Sequence, residues 1–310
     1  MKKIDLIFDT DIGSDCDDVM ALTYLVYAKR NLGVNIKAVT ISNGCAYGVA
    51  ATRAFFEDLG ENVPPIGSPA KELKAYEGYC PALATKFGSI KEPIKGENAV
   101  KVMRNALVNS ENAVICAVGA FTNVGALLES PPDEISDLCG VELVRQKCSK
   151  IVLMAGIFDP NISRIEWNVH LDIPATQTTA RLCPVELVFL PSETGIGILT
   201  GAPAIAKYGD RTPLTTAFLS WKSVRETGTR PSWDPVTAVY AVEGCRDFLT
   251  ETKNGTVTVA DDGKTTFEEK ADGTHKVLYL KGVGTELEGR SKELAAKYVD
   301  ACSLEVYGER

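Results

Sequence analysis

The sequence predicts an α/β fold: a mostly parallel, open sheet flanked by helices, with a late antiparallel β segment. Short apolar runs alternate with helical patterns through residue 190, turn residues bound each run, and the text changes after residue 256 to alternation by two. Strands alternating with helices imply a sheet covered on both faces. Over 310 residues the chain is 45% hydrophobic and 24% charged, close to average soluble usage, which excludes disordered, collagenous and low-complexity classes. Neither a repeat nor a Gly/Ser/Pro-rich linker divides it, so residues 1–310 are expected to form a single domain.

The first strand is residues 4–8. Residues 19–28 (VMALTYLVYA) form a helix that opens on two Asp residues, where negative charge suits the positive helix end. Residues 36–41 (IKAVTI) are a second strand, and 47–59 a helix closing at Gly60. Residues 60–95 read as a long loop. Residues 114–118, 151–154 and 185–190 repeat the strand signature, and 159–165 is a further loop. Residues 256–282 alternate by two around DDG and ADG turns, which predicts a β-hairpin added at an edge.

Composition narrows the function. With 33 Lys and Arg against 41 Asp and Glu the net charge is −8, and no basic block is present, so a nucleic-acid-backbone partner is not expected. Nine Cys without CxxC or Cys/His ligand spacing indicate neither a disulfide framework nor a zinc site, and predict a reducing cytoplasmic setting. Asp5 and Asp9 interrupt any signal-peptide core, and no run of 18 apolar residues follows, so no membrane partner is expected.

Ligands of open parallel sheets bind beyond the carboxyl ends of the strands. Polar residues collect there: Asp9, Asp11, Asp15, Asp17 and Asp18 after the first strand, Ser42 and Asn43 after the second, Thr122 and Asn123 after 114–118, and Glu166 and Asn168 after 151–154. Two carboxylates ~5 Å apart repel by about 3 kcal/mol at an effective dielectric near 20, so five converging carboxylates call for a cation or shifted pKa values. Helix capping accounts for one or two of them. Asp234, in PSWDPVTAVYAV, either closes a metal site from far along the chain or simply caps its helix ahead of Pro235. Glu166 and Asn168, two apart, point to one side of an extended segment and could hold neighbouring hydroxyls. Thr122 also suits a cap or turn, and His170 and His275 read as surface or packing residues.

Together these segments resemble the nucleoside hydrolase family, the inosine-uridine-type N-ribohydrolases. FDTDIGSDCDD is similar to its Asp-rich signature, VGAFTNVGALL to its GPLTN-type segment, EWNVHLDIPA to its EFN segment, and WDPVTAVYAV to the segment with its last metal-ligating Asp. The resemblance implies hydrolysis of a ribonucleoside to free base and ribose, with purines favoured, by a Ca²⁺-bound water that Asp11 activates. It implies Ca²⁺ held by Asp11, Asp18, Asp234 and the Thr122 carbonyl, hard oxygen donors that suit this ion. Asp17 matches a ribose-binding position, and Glu166, Asn168 and Asn161 match sugar-holding ones. A dimer or tetramer is implied by the same likeness.

Three departures stand out. The spacing from Asp11 to the Asp17–Asp18 pair is two residues longer than in the commonest form, which makes Asp15 a rival for Asp17. Cys45 falls where a ribose-binding Asn or Asp is expected, with Asn43 the substitute. Trp233 stands where many members carry a His thought to protonate the leaving base, and purine-specific members are similar to this chain in having Trp-Asp there; it either stacks on the base or packs under the following helix. LIFDTD also resembles the start of a haloacid-dehalogenase-type phosphatase with Asp9 as nucleophile and Mg²⁺ as cofactor, and a nucleoside- or sugar-binding protein without turnover is a third reading.

Overall fold

The computed structural model describes residues 3–309. Its strands are β1 (Ile4–Thr10), β2 (Val34–Ile41), β3 (Ile66–Ser68), β4 (Glu97–Asn98), β5 (Ala113–Ala117), β6 (Cys148–Met154), β7 (Glu186–Leu190), β8 (Leu199–Thr200), β9 (Arg230–Pro231), β10 (Leu249–Glu251), β11 (Gly255–Val259), β12 (Thr265–Glu269) and β13 (His275–Leu280). The main sheet runs β12-β11-β13-β7-β6-β5-β1-β2-β3-β4, with β10 paired to β13, and β8 and β9 form a separate two-stranded pair. From β7 across to β4 every pairing is parallel.

Alternating side chains of the central strands are buried on opposite faces. Leu6 and Phe8 belong to one core with the helices Asp17–Asn31 and Trp233–Glu243, whereas Ile7 joins Ile115, Leu153 and Phe189 in the other. Burial on both faces explains why these strands read as continuous apolar runs. β1 pairs with β2 on one side and β5 on the other, so the strand order reverses at β1 and a crevice opens beyond its carboxyl end. The loops leave one rim: Ser42 N donates to Thr10 O (2.8 Å) and Val118 N to Asp9 O (2.8 Å).

Two expectations are corrected. Residues 60–95 are not one loop: they hold β3 and the helix Cys80–Phe87, whose Pro81 favours a helix start. The late segment is more than an appended hairpin. β11 and β12 do pair antiparallel, but β13 runs parallel to β7 and thereby joins the hairpin to the sheet. Alternation by two marks a strand without giving its partner's direction, so this pairing was not readable from the pattern.

Candidate active site

The longer loop after β1 is shaped by Gly13 and Tyr79. Gly13 takes φ +99°, and a Cβ there would meet Tyr76 O at 2.6 Å, so glycine meets both demands. The Tyr79 hydroxyl accepts from Gly13 N (3.1 Å) and donates to Asp15 O (2.7 Å), pinning both ends of the turn. Helix Asp17–Asn31 then begins with Asp17 and Asp18 buried in its first turn. From the far end of the chain, helix Trp233–Glu243 brings Asp234 to the same place.

One carboxylate oxygen each from Asp17, Asp18 and Asp234 lies within 4.8 Å of the others. Asp17 Oδ2 accepts from the backbone N–H groups of Trp233 (3.0 Å) and Asp234 (3.1 Å), so it caps a helix whose own Ser232 makes no capping bond. That contact draws Asp17 into the cluster beside Asp234, where the sequence had pointed to Asp11. Asp18 accepts from the Thr10 hydroxyl, and its Oδ2 is buried without a hydrogen-bond partner. Burial first, then like charge from Asp11, Asp17 and Asp18, holds the carboxyls of Asp18 and Asp234 well above the usual carboxylate range. Asp11 borders the cluster, pushed up to about 7 by burial and by Asp15 and Glu166 against a Ser14 hydrogen bond. A buried orphan oxygen amid crowded hard donors is what a divalent cation relieves, so these residues fit a metal.

Above the cluster opens a cavity of about 400 Å³, inside the ~300–1,000 Å³ range of small-molecule sites. Asp11, Asp15, Asp17, Glu166, Asn168, Trp233 and Asp234 all line it. Glu166 caps the helix Trp167–Leu171 through Asn168 N (2.9 Å) and Val169 N (3.0 Å), and burial raises its carboxyl to about 7. Asn168 Nδ2 donates to Val118 O (2.8 Å) and Met154 O (3.1 Å), which fixes its side chain across the ends of two strand loops. Trp233 Nε1 donates to Ser192 O (2.8 Å), and Gly195 lies flush on its ring, where a Cβ would meet Trp233 Cα at 2.8 Å. The indole is therefore both packed and pocket-facing.

Other expected residues do not line the cavity. Asn43 is buried; it donates to Asp11 O (2.7 Å) and Ile12 O (3.1 Å) and accepts from Cys45 N (2.9 Å), so it braces the loop under Asp11. Thr122 opens the helix Thr122–Glu129 and turns its hydroxyl to Asp172. Asn161 is exposed and, among the described residues, bonds Asp159. His170 sits outside against exposed Trp167, ring centroids 6.1 Å apart, and His275 is buried in β13. Asp9 is fully buried below the rim, bonded by Thr40 and Asn123, and does not line the cavity. The phosphatase alternative therefore lacks an accessible nucleophile.

Sequence reasoning missed Arg230, Trp221 and Arg164, all cavity-lining. Asp15 accepts from Arg230 Nε (2.9 Å), from Arg230 Nη2 and from Trp221 Nε1 (2.7 Å), so both of its oxygens are occupied. Arg230, three residues before Trp233 and four before Asp234, was the available signal: a cation next to two candidate site residues.

A pocket with indole walls and a floor of buried carboxylates, at the switch point of an open α/β sheet, defines a small-molecule enzyme whose floor could bind a metal. The family described as inosine-uridine preferring nucleoside hydrolase matches residues 6–287. The chain belongs to that family and is a nucleoside N-ribohydrolase; the family is metal-dependent. The purine-preferring ribonucleoside hydrolase of Gardnerella vaginalis is similar in structure, with TM-score 0.71 and 16% identity over 96% of this chain and 99% of that one. The inosine-uridine preferring nucleoside hydrolase of Bacillus anthracis gives 0.66 and 17% over 95% and 99%, and an inosine-guanosine nucleoside hydrolase 0.69 and 15% over 96% and 98%. No curated protein sequence matches. Among the described residues no helix is long and apolar enough to cross a membrane.

Proposed function

We propose that this enzyme hydrolyses purine ribonucleosides, such as inosine and guanosine, to free base and ribose with Ca²⁺ as its metal. The observation that carries the reading is the buried carboxylate cluster, orphan Asp18 oxygen included, on the floor of an indole-walled cavity. Asp11, Asp18 and Asp234 with the Thr122 carbonyl hold the ion, and Asp17 is close enough to share it. When bound, Ca²⁺ orients the sugar hydroxyls and makes water more acidic. Asp11 takes the proton of the attacking water as C1′ gains oxocarbenium character.

Glu166 and Asn168 hold the ribose, and Asp17 offers it Oδ1, since Oδ2 is held by the helix amides. Both oxygens of Asp15 are occupied, which favours Asp17 over Asp15 as the sugar ligand. Asn43 acts through the Asp11 backbone that it braces, and Asn161 stays outside the sugar contacts. Trp233 stacks on the base. Stacking of this kind is worth ~1–3 kcal/mol and favours a two-ring base.

Reducing-sugar release from inosine, guanosine and uridine, by chelator-stripped and Ca²⁺-restored enzyme, tests the reading. Activity is expected to vanish on stripping, return with Ca²⁺ and favour the purines. Trp233→Phe should retain the preference and Trp233→Ala should lose it, by ~5- to 150-fold in the inosine-to-uridine ratio of kcat/KM. Full activity without metal, or a preference for uridine, would overturn it.

A further inference from the structure

Arg230 has no counterpart in the proposed metal and sugar contacts, yet it lines the same cavity between two indoles. Its guanidinium lies 5.4 Å from the ring centroid of Trp221 and 5.4 Å from that of Trp233, both within cation–π range. Asp15 holds it from below through Nε (2.9 Å) and Nη2, and Trp221 Nε1 shares the same Asp15 oxygen at 2.7 Å. A fork bonded on one edge and flanked by two rings has little freedom left. Nη1 carries no hydrogen bond among the described residues, so two N–H donors remain on a cation whose place is fixed beforehand. Asp234, in the metal cluster, directly follows Trp233, which sets Arg230 on the cavity wall one ring away from where the sugar is held.

We propose that Arg230 is a catalytic residue for departure of the base: its Nη1 N–H groups donate to a ring acceptor of the leaving purine, with Asp15 and Trp221 as positioning residues. As the C1′–N9 bond breaks, its electron pair passes to the base, and negative charge spreads over the ring nitrogens and the exocyclic oxygen. Water supplies hydroxide to C1′ and its proton goes to Asp11. The departing base is held as an anion by Arg230 and then takes its proton from solvent. Arg230 itself transfers no proton, because a guanidinium stays charged at any working pH. Donors fixed in advance on a developing anion stabilise a transition state without reorganisation. This accounts for a member with Trp at position 233 and no histidine lining the cavity.

The inference rests on the proposed nucleoside hydrolysis, and leaving-group dependence separates the two. Inosine must release hypoxanthine, a poor leaving group, whereas p-nitrophenyl β-D-ribofuranoside releases a phenolate that needs no such help. Arg230→Gln should lower kcat on inosine by ~10²–10³-fold, the usual effect of removing a positioned oxyanion donor, and change turnover of the aryl riboside by less than about threefold. Asp15→Asn should lower kcat on inosine by about tenfold with the same sparing of the aryl riboside, because the fork loses its anchor and not its charge. Aryl riboside turnover also reports that each variant is folded and retains its metal and sugar sites. Equal losses on both substrates would overturn the assignment of Arg230 and leave the hydrolytic reading standing. A wild-type enzyme that cleaves neither substrate would overturn the reading beneath it.

Discussion

Without its cation the carboxylate cluster should be a source of instability, and Asp11→Asn measures how much. At the 4.8 Å limit that encloses Asp17, Asp18 and Asp234, each pair of full charges repels by about 3.5 kcal/mol at an effective dielectric near 20. Protonation limits that penalty. Asp11 is raised from 3.8 to about 7, so its ionisation in the metal-free fold opposes folding by on the order of 2–4 kcal/mol at pH 7.5. For an acid whose folded pKa is raised, the folded state binds the extra proton. Stability therefore falls as pH climbs from about 4 to 7 and levels off above. Metal-free wild type should lose melting temperature across that window, whereas metal-free Asp11→Asn should lose less and melt several degrees higher at pH 7.5. Ca²⁺ at a hundred times its Kd should restore ~2.7 kcal/mol to wild type and markedly less to the variant, which lacks one of the proposed ligands. Scanning calorimetry at pH 4.5, 6 and 7.5, with and without Ca²⁺, reads all of this. Identical metal-free melting of the two proteins at pH 7.5, or an equal Ca²⁺ shift in both, would refute the electrostatic account.

Three further perturbations have defined outcomes. His275 Nδ1 accepts from Val257 N (2.9 Å) and burial lowers its pKa, so protonation breaks the bond; the stability it provides is lost as pH falls below about 6.5, and His275→Asn, which keeps an acceptor, should flatten that loss in urea titrations. The Arg104 side chain is fully buried and donates to Ser130 Oγ (2.9 Å), Asp133 Oδ1 (2.8 Å) and the carbonyls of Ser136 and Leu138 (3.0 Å each), so Arg104→Ala should destabilise the fold by about 3–5 kcal/mol in denaturant midpoints while leaving KM of the folded fraction unchanged. Gly119 lies where a Cβ would meet Asp11 N at 2.7 Å and the Ser42 hydroxyl, so Gly119→Ala should displace Asp11 and lower kcat by at least ~10-fold with little change in melting; an unchanged kcat would show that Asp11 tolerates the shift.

How much was legible in advance follows the range of the interaction. The central strands and the helix Asp17–Asn31 were readable because their signals are local: apolar runs, and acids at a helix start. Asp234 was readable as a candidate because WDP marks a helix start, but its neighbours Asp17 and Asp18 lie more than two hundred residues away; resemblance joined Asp18 to it and assigned Asp17 to ribose. The parallel docking of β13 on β7 was hidden because alternation does not encode a partner. Asn43 was seen as polar at the right rim, yet its amide points into the loop backbone, a choice of rotamer that sequence does not reveal.

The two-residue lengthening of the β1 loop makes the same point in physical terms. Read as spacing, it left Asp15 and Asp17 as rivals for one ribose contact. In three dimensions the extra length separates their surroundings. Asp17 falls in the first turn of its helix and meets the amides at the start of helix Trp233–Glu243, which fixes it beside Asp234. Asp15 falls one residue before Cys16, outside the helix, with Tyr79 on its carbonyl and Arg230 and Trp221 on its carboxylate. One loop thus ties the carboxylate floor and the cationic wall to distant segments by the same device, a carboxylate that accepts donors from residues 221–234. Asp15 meets a fixed cation through a bidentate arginine, whereas burial and then like charge hold the carboxyl of Asp17 well above the usual range. Asp15 and Asp17 therefore differ in chemistry although they are two residues apart, and the identity of the partner across the fold decides which behaviour each adopts.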